Sequence, residues 1–271
     1  MNNIKKIIRQ LVLIFITLLM FFPLYTVFVM GTYYSEDIFI GLPILPGNYL
    51  LENLETVLKN NFFQAYLNSF TISIFSVLFS VTASSMVGYA LAKFNFKARK
   101  FFFSFILVIM MIPGQISMIG YIREMRAFGL MGTLLPLIFV WIAHPFGAFF
   151  MTQFIRDSVP DEILESARID GSSESGIFFR IVLRIITPAI TTLTMLVFLW
   201  SWNSYMMPLI IINKQELYTI PLMVATLSNQ FRSDYGAMMC ALSLAVLPMI
   251  LIFTLSSKTF IKGIAAGAVK G

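Results

Sequence analysis

Apolar residues in this chain come in long uncharged runs, over 11–30, 68–92, 101–122, 127–155, 185–213 and 235–257. A helix needs about 20 mainly apolar residues to cross the hydrocarbon core of a bilayer, whereas a barrel strand has about ten of alternating polarity. Backbone polar groups in lipid must be satisfied internally, and these continuous runs are too long for strands, so helices are the solution left. The pattern predicts an all-α membrane protein, one transmembrane domain over 1–271. Its six transmembrane helices are expected near 11–30, 68–92, 101–122, 130–155, 186–212 and 236–257. The fourth and fifth runs exceed one span, so parts of them are expected to be interfacial or tilted.

The first run follows Lys5, Lys6 and Arg9. At about 20 residues it is longer than the 7–15 of a signal-peptide core, so a retained helix is expected. Asn68 and Ser69 stand where a helix cap belongs as the chain re-enters the membrane. Pro23, Pro113, Pro136, Pro145, Pro208 and Pro248 interrupt or bound apolar runs, and are read as packing kinks or as bends along a pathway.

Composition agrees with the pattern. Hydrophobic residues make up 58% of the chain and charged residues 12%, about half the charged share of a soluble domain. The net charge of +6 is explained by where the cations fall. Segments 1–10, 93–100, 156–184 and 258–271 hold three, four, four and three Lys/Arg, leaving 5 of the 19 for the other side. The positive-inside bias then places both termini in the cytoplasm, in a multi-pass protein of the cell membrane, with no need to invoke nucleic acid. Cys240 is the one cysteine, so no internal disulfide forms. His144 has no Cys, Asp or Glu beside it, so a packed or pathway-facing imidazole is expected and no metal site. No Asp, Glu, Lys or Arg lies in mid-span, which argues against a proton-coupled carrier or ion pump and fits a neutral solute.

Segment 156–184 holds 6 of the 13 acids beside its four arginines. Orientation needs the cations but not the acids. Ser158-Val159-Pro160-Asp161 fits an N-terminal capping box, with Asp161, Glu162 and Glu165 near the helix start. Gly171 is placed to stop that helix in a left-handed cap, and Ser172 or Ser173 to begin the next. The result is two short helices and a corner of small residues (Ser166, Ala167, Gly171, Ser172, Ser173) that a partner's surface could approach closely.

The run Glu165-Ser166-Ala167-Arg168-Ile169-Asp170-Gly171, followed by Ile177-Phe178-Phe179 and Leu183, resembles the E-A-A-x-x-x-G loop. That loop belongs to the membrane subunits of binding-protein-dependent ABC importers, where it lies between the fourth and fifth of six helices. The ending from Gly263 through Ala266-Gly267-Ala268-Val269-Lys270-Gly271 is similar to the tail of the second permease of the maltose-type pair. Trp202-Asn203 with Pro208-Leu209-Ile210 is similar to it as well. Two positions depart from the pattern: Ser166 replaces the second alanine, and Arg184 follows Leu183 where the family has Pro, with Pro188 four residues on.

The resemblance implies a type I ABC importer permease fold and a non-catalytic subunit that moves a sugar or oligosaccharide. Glu165, Ser166, Ala167, Asp170, Gly171 and Ser172 would dock on an ATPase. Two ATP-binding cassette subunits, a second and different permease and an extracellular solute-binding protein would be partners beside membrane lipid. No cofactor is expected on this chain, since ATP-Mg would sit on the partner ATPases. The chain contains no G-x-x-x-x-G-K-[ST] phosphate loop. Trp202, Asn203 and Tyr205 form a polar-aromatic cluster in the fifth run, read either as lining the solute path or as belonging to an interfacial belt or helix contact. A permease for another solute, a secondary transporter and an intramembrane enzyme are the alternatives. The last two lack, respectively, intramembrane coupling charges and any H-E-x-x-H or G-x-S-x-G motif.

Overall fold

Every long apolar run forms helix, and prolines decide where the helix breaks. The computed structural model describes residues 2–227 and 234–268, with side chains over 5–227 and 234–257. In chain order the helices are α1 (Asn2–Met30), α2 (Leu50–Lys59), α3 (Phe62–Lys93), α4 (Arg99–Met111), α5 (Gly114–Ala127), α6 (Leu135–Ile142) and α7 (Pro145–Ser158). They continue with α8 (Asp161–Ile169), α9 (Glu174–Ile185, with a wide π turn at Phe178–Val182), α10 (Thr187–Trp202), α11 (Met206–Ile211), α12 (Ile220–Thr226) and α13 (Tyr235–Ala268).

Among the described residues four stretches are long and apolar enough to cross a membrane: Lys5–Met30, Phe62–Lys93, Leu135–Ser158 and Tyr235–Ser257. Two further pairs qualify jointly but are bent, α4 with α5 by 104° and α9 with α10 by 79°, so counting each pair once gives six.

The residue before proline is pushed out of the helical region because proline Cδ crowds its N–H and Cβ. Ile112, His144 and Val159 all show this, with ψ of 125°, 118° and 107° ahead of Pro113, Pro145 and Pro160. Pro23 and Pro248 lie inside α1 and α13, where the helix continues.

Two local expectations are corrected. α3 starts at Phe62, so Asn68 and Ser69 are not caps but buried positions inside the helix. The Asn68 amide instead donates to the carbonyls of Glu216 and Tyr218, at 2.8 and 3.0 Å. Ser158 ends α7 and caps nothing; the N-cap of α8 is Pro160, which has no side-chain donor or acceptor to offer. The segment from 258 continues the last helix, its backbone helical through Ala268, and Val269, Lys270 and Gly271 lie outside the described residues.

The chain divides into two compact units, 1–66 with 220–248 and 67–219 with 249–271. In the first unit α1 carries its apolar side chains outward all round, Leu11, Phe15 and Met20 among them. A helix apolar on every side belongs in lipid. At its end the backbone of Gly31 meets that of Cys240 so closely that a Cβ would lie 2.9 Å from the Cys240 nitrogen. The buried Asn53 amide donates to the carbonyls of Gly31 and Tyr33, at 2.9 and 2.8 Å, satisfying backbone groups that the turn after α1 leaves free.

The second unit is built on small residues. Ser69, Ser73, Ser76, Ser80 and Ser84 form one buried stripe along α3, the composition that lets helix backbones approach closely in a membrane. Gly147 of α7 has no room for a Cβ against Ser84, and a Cβ on Gly88 would lie 2.8 Å from the backbone carbon of Met151 and 2.9 Å from the Thr152 nitrogen. Gly88→Ala is therefore expected to push α3 and α7 apart, costing about 1–3 kcal/mol. Fluorescence-detected gel filtration during a heat ramp checks this, with a lower midpoint for Gly88→Ala and little change for Ser84→Ala.

Candidate functional site

The segment from Asp161 to Ile185 hangs from the ends of α3 and α7, and its inner side belongs to their core. Leu164 and Ala167 of α8 and Ile177, Phe178 and Val182 of α9 are buried in one cluster with Tyr89, Ala92, Met151 and Ile155. The corner between α8 and α9 is a Schellman turn. Gly171 stands at φ +81°, its N–H donates to the Arg168 carbonyl, and the Ser172 N–H donates to the Ala167 carbonyl, both at 3.0 Å. Ser173 then caps α9, its hydroxyl accepting from the Gly176 N–H at 3.2 Å.

Two polar clamps from α3 hold the corner from either side. The Lys93 ammonium donates to Asp161, at the start of α8, at 2.7 Å; its own side chain is only 6% exposed. One turn earlier, the Tyr89 hydroxyl donates to Glu174 at the start of α9, at 3.0 Å. Arg168 reaches the other oxygen of Glu174 at 2.6 Å, tying α8 to α9. This hydrogen bond from Arg168 is the main reason the Glu174 carboxyl sits below the usual carboxylate range, against a smaller opposing effect of burial. A depressed carboxyl contributes stability above its unfolded value and loses it as pH falls through the folded one. The clamp is thus complete at neutral pH.

Of the residues singled out in the sequence, Glu165, Ser166, Asp170, Gly171 and Ser172 are exposed, while Ala167 points inward and is buried. The Ser166 hydroxyl is turned back onto the Glu162 carbonyl at 2.8 Å. Sequence reasoning missed the apolar part of this surface: Ile169 is 86% exposed beside Gly171, and Ile163 and Phe179 are exposed too. The signal was available, because Ile163 and Ile169 fall off the helical register of the buried Leu164 and Ala167.

The other candidate cluster is not gathered in one place. Trp202 is 2% exposed, with Phe70 edge-on at 4.9 Å and Phe198 stacked at 5.3 Å. Asn203 closes α10, its amide donating to the Leu199 carbonyl at 2.8 Å, and Tyr205 is exposed. A cavity of about 680 Å³ lies instead where α4 bends into α5 and α6 breaks into α7, lined by Tyr121, Glu124, Trp141, His144 and Phe146 among others. His144 lies 5.6 Å from Trp141 and 5.0 Å from Trp200, ring centre to ring centre, and its buried Nδ1 has no hydrogen-bond partner. Among the described residues no group of three or more His, Cys, Asp or Glu is arranged to hold a metal.

Residues 80–265 match the family described as "Binding-protein-dependent transport system inner membrane component". The chain is 30% identical over 99% of its length to the arabinooligosaccharides transport system permease protein of Bacillus subtilis, covering 97% of that protein. It is 37% identical to the Halalkalibacterium halodurans protein of the same name, over 75% of this chain and 73% of that one. Among solved structures, a chain of a bacterial ABC transporter involved in the import of the acidic polysaccharide alginate superposes with a TM-score of 0.80. It covers 96% of this chain and 97% of that one at 22% identity, so the two share a fold.

Proposed function

This chain belongs to the family of binding-protein-dependent transport system inner membrane components, and from that premise we propose that it carries a sugar or oligosaccharide through the cell membrane, driven by separate ATPases. It is a non-catalytic permease subunit with an ABC importer fold. In the proposed assembly six spans leave both termini in the cytoplasm, the side to which 14 of the 19 Lys/Arg fall. Two ATP-binding cassette subunits bind ATP-Mg, and one of them receives the 161–174 corner. A second, different permease subunit lies beside this one, and an extracellular binding protein supplies the solute. Lipid surrounds the spans.

The observation that carries the reading is the build of the corner. Its inner side is continuous with the core of α3 and α7, its turn is fixed by Gly171, and its outer surface presents Ile169 beside Glu165 and Asp170. An exposed isoleucine ringed by charge is the composition of a docking point: an apolar anchor inside a polar rim. Force applied there reaches α3 through Lys93–Asp161 and Tyr89–Glu174.

The relatives named for arabinooligosaccharides support a carbohydrate cargo. The cavity between α5 and α7 is chemically suited to one. Aromatic faces at Tyr121 and Trp141 pack against C–H faces of a sugar ring, while Glu124 binds hydroxyls. Trp202, Asn203 and Tyr205 are assigned to packing and to the break after α10 rather than to first contact with the solute. The test is uptake of a labelled neutral oligosaccharide into vesicles holding the assembled importer. Uptake that requires ATP on the cassette side, and whose half-saturating solute concentration rises about tenfold in Trp141→Ala, is the expected result. Uptake driven by a proton gradient without ATP overturns the proposal.

A further inference from the structure

We propose that the cavity where α3 turns into α4 is a binding site for the phosphate of an anionic glycerophospholipid. The inference rests on the chain spanning a membrane and not on the docking of the 161–174 corner. The cavity has a volume of about 680 Å³, and four cations converge on it: Lys97 from the connecting turn, Arg99 and Lys100 from the first turn of α4, and Arg156 from the last turn of α7. Asn95 adds a neutral amide, and no carboxylate lines the space. None of the four cations is ion-paired among the described residues, whereas Lys93, on the last turn of α3, is held by Asp161. Four like charges around one cavity repel each other unless an anion lies between them, and low dielectric at the bilayer edge strengthens the demand.

Both guanidinium groups are held in place before any ligand arrives. Arg99 donates from Nε and Nη2 to the carbonyls of Leu91 and Ala92, at 2.8 and 3.0 Å, closing the end of α3. Arg156 lies over the ring of Phe103, 5.5 Å from its centre. Planar, pre-positioned guanidiniums suit a phosphate, and Lys97 and Lys100 complete the charge. The second half of the argument is the wall beside the cavity. Phe101, Phe102 and Phe105 of α4 are exposed, Phe101 by 66%, and α4 is uncharged from there to Met111. A soluble phosphate has no use for that wall, whereas a lipid lays its acyl chains along it. Basic pockets between membrane helices at the cytoplasmic surface are the general form of such sites.

The experiment is native mass spectrometry of the assembled importer in neutral detergent, titrated with phosphatidylglycerol, with phosphatidylcholine, and with phosphatidylglycerol in millimolar inorganic phosphate. One tightly held phosphatidylglycerol per copy of this chain is expected, with no equivalent phosphatidylcholine. Lys97→Gln/Lys100→Gln/Arg156→Gln should weaken it by at least about tenfold, while Lys97→Arg/Lys100→Arg and the remote Arg123→Gln/Arg126→Gln should retain it. Because only particles with their full subunit mass are scored, misfolding cannot imitate the loss. Equal retention of the two lipids, or unchanged binding in the triple variant, overturns the proposal. Complete displacement by inorganic phosphate also overturns it, assigning the cavity to a soluble anion.

Discussion

The Gly171→Pro variant should insert and assemble, hydrolyse ATP, and import solute at roughly a hundredth of the normal rate. Gly171 stands at φ +81°, which the proline ring, locked near −65°, cannot adopt. Proline also removes the N–H that donates to the Arg168 carbonyl, one of the two bonds of the Schellman turn. The left-handed turn therefore cannot form around proline, and the lost hydrogen bond alone costs about 1 kcal/mol. That is enough to loosen the corner, so that a movement of a docked ATPase is no longer passed on to α3. The loss is local, because nothing else packs within 4 Å of where a Gly171 Cβ would stand. Gly171→Ala keeps the N–H and should show a milder defect. ATP hydrolysis and uptake measured on the same vesicles separate uncoupling from misfolding, and normal uptake by Gly171→Pro would remove the corner from the mechanism.

The second large effect is expected from cutting both clamps, in Tyr89→Phe/Lys93→Met. Each substitution keeps the bulk of the side chain and deletes the group that reaches the 161–174 segment. A hydrogen bond to a charged group contributes about 1.5–3 kcal/mol when shielded. Asp161 is 72% exposed, so solvent discounts the Lys93 bond to about 1 kcal/mol. With the Tyr89–Glu174 bond included, uptake should fall about tenfold at unchanged ATP hydrolysis. Either single variant alone should lose less than half of that on a logarithmic scale, since the remaining clamp still carries the corner. Equal uptake by wild type and double variant would mean that the apolar contacts of Leu164, Ile177 and Phe178 transmit the motion unaided.

Much of this was legible in the sequence, for a physical reason. Lipid imposes length and polarity on whole segments, so uncharged runs report helices wherever they occur, and the glycine at 171 reports a left-handed turn. What was not legible depends on neighbours. Pro113 and Pro145 were visible, but a kink and a break have the same sequence. Asn68 has the chemistry of a cap, yet the distant carbonyls of Glu216 and Tyr218 claim its amide. For Trp202 both a path-lining and a packing reading stood open, because an apolar run does not say which side of a helix faces its neighbours; the rings of Phe70 and Phe198 lie against it. The solute-sized cavity was missed because its rings and polar groups come from α5, α6 and α7, far apart in the chain.

The central claim, that the outer surface of the 161–174 corner receives the ATPase, is tested most directly by capture of the tagged chain from mild detergent. Glu165→Arg/Ile169→Asp is run beside wild type. Both side chains are exposed, so the double variant should fold and keep its partner permease. The expected result is an ATP-binding cassette subunit recovered with wild type and lost, by about tenfold or more, from the variant. Equal recovery of that subunit with both proteins would contradict the claim.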